Sequence, residues 1–173
     1  MTPGCGSSDR WQIVWLGAVL PEPEVTVSPD RVTFMHRWFD EVWNKGNPSA
    51  IDEMMAPDAI VHGLGEAGRS TTGPDAFKPF QSRLRGAFPD IQVTIEEVIE
   101  QGDMIASRWT ARMTHRGDDL GIAATGRRVE VSGMSMGRLR DGKLIEGWNN
   151  WDTASLMQQI GAEPPPPATL LEE

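Results

Sequence analysis

The stretch Ile91–Thr114, IQVTIEEVIEQGDMIASRWTARMT, decides the fold class of this chain. Ile91, Val93 and Ile95 alternate with polar neighbours, which is typical of a strand with one buried face. The letters QGD then predict a tight turn, and a second strand is predicted from Met104 to His115. Two such segments joined by a short turn indicate an antiparallel pair.

Two further strands are predicted after this pair, over Val129–Leu139 and Leu144–Trp151. The connecting letters RGDDLG, TGR and RDGK are rich in residues that favour turns. The sequence therefore predicts four long, sequential antiparallel strands. A last helix, TASLMQQIG, follows them, with Asp152 or Thr153 as its N-cap and Gly161 at its end.

Three helices are predicted ahead of these strands. Ser28, Pro29 and Asp30 form a helix start, and hydrophobic residues recur at helical spacing as far as Gly46. The letters PSAIDEMM predict a second, short helix, and Pro57 then starts a brief strand that carries a histidine. PDAFKPFQSRLRGAF predicts a third, amphipathic helix, bent at its internal proline.

Helices packed on one face of a long sheet give an α+β fold. A strongly twisted antiparallel sheet can curl around three helices and leave a cone-shaped apolar cavity for one small ligand. We therefore expect an α+β barrel domain over residues 28–161. Residues 1–27 form a flexible or peripheral extension, and residues 162–173 form a disordered Pro-rich tail.

The composition of the 173 residues limits the classes of partner. A net charge of -9 argues against nucleic-acid binding, which needs clustered Lys and Arg. The apolar run Trp11–Leu20 is too short to cross a bilayer, so we expect no membrane association. The single cysteine, Cys5, fits a reducing cytoplasm, and neither a metal site nor a nucleotide-binding loop is predicted.

Several segments carry a family resemblance: FMHRWFDEVWNKGN, DAIVHG, GPDAFKPFQSRLRGAFPD, SRWTARMTHRG, GRLRDGKLIEGWNNWD and LMQQIG. Together they resemble the SnoaL-like polyketide cyclase, or ester cyclase, family of the nuclear transport factor 2-like superfamily, with its cystatin-like fold. The resemblance spans about Pro29–Gly161. It implies a cone-shaped α+β barrel and a homodimer formed through the sheet. It also implies a cofactor-free cyclase or isomerase that acts on a small carbonyl-rich apolar substrate, such as a polyketide ester.

The sequence departs from the family at the expected base. The resemblance implies a catalytic aspartate on the last strand just after a tryptophan, but Trp148 is followed here by Asn149 and Asn150. A carboxamide can polarise a carbonyl group but accepts no proton at neutral pH. Another group must then act as the base, and the candidates are Asp152 and His62. Asp152 has a helix N-cap as its alternative role.

Two further residue patterns leave the chemistry open. Epoxide hydrolases of the superfamily carry an Asp-Arg-Asp arrangement, and the matching positions here are Arg108, Thr110 and Asn150, without either acid. Arg108 either binds an enolate oxygen or pairs with an acidic neighbour such as Glu97. Alternation places Asn149 on the strand face opposite to Asn150, but does not indicate which face meets the cavity.

Our leading hypothesis is an enzyme of acid–base, enolate chemistry. A non-catalytic ligand-binding or dimerisation module is the first alternative, and an epoxide hydrolase-like or dehydratase-like enzyme is the second. His115 is expected to be a solvated turn residue. The predicted catalytic residues are His62, Asp152, Asn150 and Arg108, and the predicted substrate contacts are Trp148, Asn149, Trp109, Thr110 and Trp38.

Overall fold

The computed structural model of the chain describes residues 29–64 and 69–162. The predicted N-terminal extension, the Ser28 cap and the tail from residue 163 onward lie outside the described residues. Within these ranges, no helix is both long and apolar enough to cross a membrane.

The predicted helices are all present. Asn47 caps the second of them, because its side chain accepts a hydrogen bond from the Ser49 backbone N–H at 3.1 Å. The first helix continues as a π-helical segment, Phe39–Asn44, which buries Phe39, Val42 and Trp43. The helices are α1 (Pro29–Trp38), α2 (Pro48–Met54), α3 (Gly73–Ala87) and α4 (Thr153–Ile160).

Residues 29–64 and 69–162 contain six strands, which form one sheet. They are β1 (Met55–His62), β2 (Thr71–Thr72), β3 (Gln92–Gln101), β4 (Met104–Thr114), β5 (Arg128–Arg140) and β6 (Lys143–Trp151). Their order is β2-β1-β6-β5-β4-β3. The four long strands pair antiparallel in sequence order, which confirms the prediction.

The sheet differs from the prediction at β1, which pairs parallel with β6 and makes the sheet mixed. Strands β1 and β6 are far apart in the sequence, so no short hairpin forces them to be antiparallel. The strand also begins at Met55, before Pro57, and its register with β6 shifts between Met55 and Ile60. Proline has no N–H to donate, so an irregularity at this place is expected.

One face of the sheet packs against the helices, and we call it the inner face. Buried residues alternate along β4 and β5. Strand β4 contacts α1, and Trp109 meets Phe39 of the π-helical extension with 5.9 Å between the ring centroids, while α3 packs on β1 and α4 packs on β5. The predicted α+β fold, with helices packed on a long sheet, is therefore confirmed. Inner-face residues of β4 are Ile105, Ser107, Trp109, Ala111 and Met113, and the helices contribute Phe39, Val42, Trp43, Phe77 and Leu84.

The opposite face, which we call the outer face, carries exposed apolar side chains in the described residues. Ile99, Met134 and Met136 are 71%, 61% and 46% exposed. They lie on β3 and β5, the two strands on either side of β4, with Ala106 of β4 between Ile99 and Met136. Exposed methionine and isoleucine side chains on neighbouring strands form a contiguous apolar patch.

His115 is fully buried, so the prediction of a solvated turn residue is wrong. The loop after β4 folds back on itself, with His115 N–H donating to the Arg127 carbonyl at 3.0 Å and Gly126 N–H donating to the His115 carbonyl at 2.9 Å. The imidazole consequently packs against the ring of Phe88, with 5.3 Å between the centroids.

Candidate active site

A hollow lies between the helices and the inner face of the sheet. It contains about 480 Å³ of space between the atoms, counting its open mouth, and the centre of a water-sized sphere can occupy about 50 Å³ of it. A neighbouring hollow of about 420 Å³ shares three of its lining residues. The shared residues are Trp43, Leu64 and Asn149, so the two spaces are adjoining parts of one cavity.

The lining of the larger hollow is almost entirely apolar. It consists of aliphatic and aromatic side chains from the π-helical segment, α3 and the sheet, and from this set only Asn149 carries a side-chain oxygen. Asn149 lies on the inner face of β6, where it lines both hollows, and Trp148 and Asn150 alternate with it on the outer face. Apolar pockets with a few placed polar groups are typical small-molecule sites.

A chain of hydrogen bonds holds Asn149 in place. The indole Nε1–H of Trp109 donates to Ser135 Oγ at 3.0 Å, and Ser135 Oγ–H donates to Asn149 Oδ1 at 2.7 Å. Trp109 and Ser135 are both buried. This chain joins β4, β5 and β6 at the floor of the cavity.

Gly133 makes room for the Trp109 ring. The two residues are paired across β4 and β5, and a Cβ at position 133 would overlap with Cζ2 of the indole. With glycine at this position, the ring can lie flat across β5 and its N–H reaches Ser135.

Ser107 lies directly opposite Ser135 across the β4–β5 pair. It is only 4% exposed, and its Oγ has no hydrogen-bond partner among the residues that the structure describes. The two facing serines therefore differ in their hydrogen bonds, because the Ser135 hydroxyl accepts one from Trp109 and donates one to Asn149.

Three of the predicted substrate contacts line the cavity. Trp109 and Asn149 line the larger hollow, and Trp38 lines the smaller one. Trp38 also packs against Phe77 in a tilted arrangement, with 5.5 Å between the ring centroids. These three residues come from α1, β4 and β6.

Four predicted site residues instead lie on the outer face, which corrects their placement. Arg108 and Thr110 alternate with the inward Trp109, and Trp148 and Asn150 alternate with the inward Asn149. The Arg108 guanidinium binds Glu97 with Nε 3.1 Å from Oε2, as in the ion-pair alternative. The three positions compared with the epoxide hydrolase arrangement therefore do not face the cavity.

His62 is also on the outer face, where it is paired with Trp148 across β1 and β6. Its Nδ1 lies 2.7 Å from Ser70 Oγ, and its Nε2 lies 3.1 Å from a carboxylate oxygen of Glu146. The imidazole stacks on the Trp148 indole, with 5.5 Å between centroids. Arg138 binds the other oxygen of Glu146 at 3.0 Å. These contacts connect β1, β6 and β5 on the outer face and place the imidazole away from the cavity.

Asp152 is the N-cap of α4, which was the alternative role. Its Oδ1 accepts a hydrogen bond from the Ser155 backbone N–H at 2.8 Å, and the residue is exposed. A carboxylate that caps a helix at the surface does not reach the cavity. Neither candidate base therefore lies beside Asn149.

Glu41 and Asp90 have lowered pKa values, and both residues lie outside the cavity. Hydrogen bonds from Lys45 and Asn47 lower the pKa of Glu41. At Asp90, partial burial raises the pKa, but hydrogen bonds from Thr114 and the charge of Arg116 outweigh it, so the net pKa is lowered.

In the described ranges, no three His, Cys, Asp or Glu side chains are grouped so that they could hold a metal ion.

The sequence analysis missed Ser135, and it interpreted Trp43 and Trp151, which also line the cavity, mainly as core residues. A signal for Ser135 was present in the sequence. Along β5 it occupies the same face as Val129, Val131 and Leu139, so a serine interrupts an otherwise apolar row. A polar residue in such a row is a candidate for the floor of a site.

A model of the family described as SnoaL-like polyketide cyclase matches residues 33–160. The aklanonic acid methyl ester cyclases DauD of Streptomyces sp. (strain C5) and DnrD of Streptomyces peucetius are each 28% identical over 129 residues. The match covers 73% of this chain and 80% and 88% of the relatives. The crystal structure of IdmH from Streptomyces antibioticus is 28% identical with a TM-score of 0.66, covering 76% of this chain and 98% of IdmH.

Proposed function

Because this chain belongs to the SnoaL-like polyketide cyclase family, we propose that it is a cyclase- or isomerase-type enzyme for a small, carbonyl-rich, apolar substrate such as a polyketide ester. The observation that carries this proposal is Asn149, which supplies the only side-chain oxygen among the described residues that line the larger hollow. The two relatives that are methyl ester cyclases support the substrate class.

The proposed role of Asn149 is to stabilise negative charge on a substrate oxygen. Its Nδ2 group donates a hydrogen bond to a carbonyl oxygen, which becomes an enolate oxygen when the neighbouring carbon loses a proton. The apolar surroundings strengthen this hydrogen bond, because few other dipoles compete with it. Trp38 and Trp109 supply flat apolar surfaces against which an unsaturated substrate packs.

The proton balance of a cyclisation is compatible with this site. In an intramolecular aldol closure, a proton leaves the carbon next to one carbonyl, a carbon–carbon bond forms, and the alkoxide takes up a proton. No net proton is consumed. A water molecule or a basic group of the substrate can take the proton from the carbon and return a proton to the alkoxide. This proposal replaces the expected roles of His62 and Asp152, which lie away from Asn149.

A non-catalytic ligand-binding module is the second candidate. This candidate is favoured because none of the described residues that line the larger hollow has a side chain that ionises near neutral pH. Such a cavity binds an apolar carbonyl compound without turning it over. The two candidates differ in whether bound ketones lose protons faster than free ketones.

We also propose that the protein is a homodimer that associates through the outer face. The exposed apolar patch around Met134, Met136 and Ile99 supports this, because monomers rarely expose neighbouring apolar side chains on a sheet. A two-fold axis across the patch places the same residues of both copies against each other.

Deuterium exchange at a ketone tests the enzymatic proposal. The methyl protons of 2-acetylnaphthalene exchange slowly in D2O, and 1H NMR follows their loss. We expect the wild type to accelerate exchange, and Asn149→Leu to lose most of the acceleration because it removes the donor. Arg108→Gln on the outer face is the matched control and should behave as the wild type. Equal acceleration by the wild type and Asn149→Leu would remove Asn149 from the reaction. Absence of acceleration with retained binding would favour the non-catalytic module.

A further inference from the structure

The orientation of the Asn149 amide determines which ligands the cavity accepts. We propose that Ser135 is a positioning residue that turns the Asn149 NH2 group toward the cavity, so that the site selects oxygen atoms that accept hydrogen bonds, such as those of ketones, ester carbonyls and enolates. This inference rests on the proposed function, because it concerns the same site.

The hydrogen-bond chain has a fixed direction. An indole N–H can only donate, so Trp109 takes up one lone pair of Ser135 Oγ. The serine has one hydrogen, and its short 2.7 Å contact with Asn149 gives that hydrogen an acceptor in Oδ1. The direction therefore runs from Trp109 through Ser135 to the amide oxygen.

The reversed amide is disfavoured by the same chemistry. If Nδ2 faced Ser135, it would donate to Oγ, and the serine hydrogen would lose its acceptor. A buried hydroxyl hydrogen without an acceptor is costly. Only the observed orientation satisfies the hydrogens of both Trp109 and Ser135.

The remaining hydrogens of Asn149 are then available to a ligand. Among the described residues, no acceptor takes a hydrogen bond from Nδ2, and the amide lies at the border of both hollows. A ligand oxygen with lone pairs satisfies this donor. A hydrocarbon of the same shape leaves it unpaired, so the cavity should discriminate between the two.

Two probes of matched shape measure this discrimination. 2-Acetylnaphthalene and 2-ethylnaphthalene differ by a carbonyl oxygen, and ligand-observed NMR titration gives the Kd of each. We expect the wild type to prefer the ketone by about tenfold, the effect of one good hydrogen bond in an apolar site. In Ser135→Ala the amide is free to rotate, so the preference should fall to about twofold.

Two controls separate positioning from a general effect on folding. Ser107→Ala removes a buried hydroxyl opposite Ser135 that makes no hydrogen bond to any described residue, and it should keep the preference of the wild type. Ser135→Thr keeps the hydroxyl and should restore most of the preference that Ser135→Ala loses.

A second readout follows the amide without any ligand. In 15N-labelled protein, the Asn149 side-chain NH2 protons should show nuclear Overhauser contacts to cavity residues such as Leu64, and these should weaken in Ser135→Ala. An unchanged ketone preference and unchanged contacts in Ser135→Ala would overturn the positioning role. If the wild type binds neither probe, the proposed function fails, while the contacts of the amide still decide the role of Ser135.

Discussion

The hydroxyl of Ser135 lies 2.7 Å from Oδ1 of Asn149 and connects β5 to β6 at the floor of an apolar cavity. The same oxygen accepts the indole hydrogen of Trp109. One serine therefore links the packing of the sheet to the orientation of the amide that we propose to contact the substrate.

Ser107 and Ser135 should respond to alanine in opposite ways. Ser107→Ala removes a buried hydroxyl that has no hydrogen-bond partner in the described part of the chain, so the free energy of unfolding should rise by about 1 kcal/mol. Ser135→Ala leaves the Trp109 N–H and the Asn149 oxygen unpaired, so it should fall by about 1–3 kcal/mol. Urea denaturation measures both values. Equal losses in the two variants would contradict this difference.

Gly133→Ala should displace the Trp109 indole. Its added Cβ would overlap with Cζ2 of the ring and lie 2.9 Å from the Asn150 carbonyl oxygen, so the ring must move. Overpacking of this kind costs about 1–3 kcal/mol. The Trp109 Nε1–H resonance in a 15N spectrum should shift as its hydrogen bond to Ser135 is lost. Ser132→Ala, a neighbour on the outer face, is the control and should leave this resonance in place.

Asp90 should make stability depend on pH in the acidic range. Although partial burial raises its pKa, hydrogen bonds from Thr114 and the charge of Arg116 lower it more. The ionised Asp90 carboxylate therefore stabilises the folded state at any pH above its unfolded-state pKa of about 3.9. This stabilisation is lost as the pH falls through the lower, folded-state pKa. Asp90→Asn should therefore be less stable than the wild type at pH 7 but not below the folded-state pKa. Urea denaturation at several pH values measures the gap, and a gap that stays constant down to that pH would contradict the assignment.

The outer-face patch should control oligomeric state. Met134→Lys combined with Met136→Lys introduces charge into the proposed contact, so the double variant should be monomeric while the wild type is dimeric. Size-exclusion chromatography with light scattering measures the mass. Gln158→Lys, on the exposed side of α4, is the control and should remain dimeric. A monomeric wild type would reject the homodimer.

The strands could be predicted from the sequence because each long strand alternates apolar and polar residues. The alternation along β6 did not reveal its inner face, since both of its faces carry a tryptophan, Trp148 and Trp151. Only packing against the helices shows that Asn149 and Trp151 point inward. This explains why Asn149 was predicted among the contacts together with Trp148, which lies on the other face.

The roles of His62 and Arg108 depended on contacts between residues far apart in the sequence. His62 meets Glu146 because β1 pairs parallel with β6, a pairing that no local pattern specifies. Arg108 meets Glu97 because β3 and β4 form a hairpin in a particular register. Local periodicity predicts the element in which a residue lies, whereas the pairing of strands decides its partner.

The central claim is that the Asn149 amide donates a hydrogen bond to a carbonyl oxygen held in the cavity. Isotope-edited infrared spectroscopy of 2-acetylnaphthalene, labelled with 13C at the carbonyl and bound to the protein, measures this directly, since a hydrogen bond weakens the C=O bond and lowers its stretching frequency. We predict a lower frequency in the wild type than in Asn149→Leu, with Arg108→Gln identical to the wild type. The same frequency in the wild type and in Asn149→Leu would contradict the account.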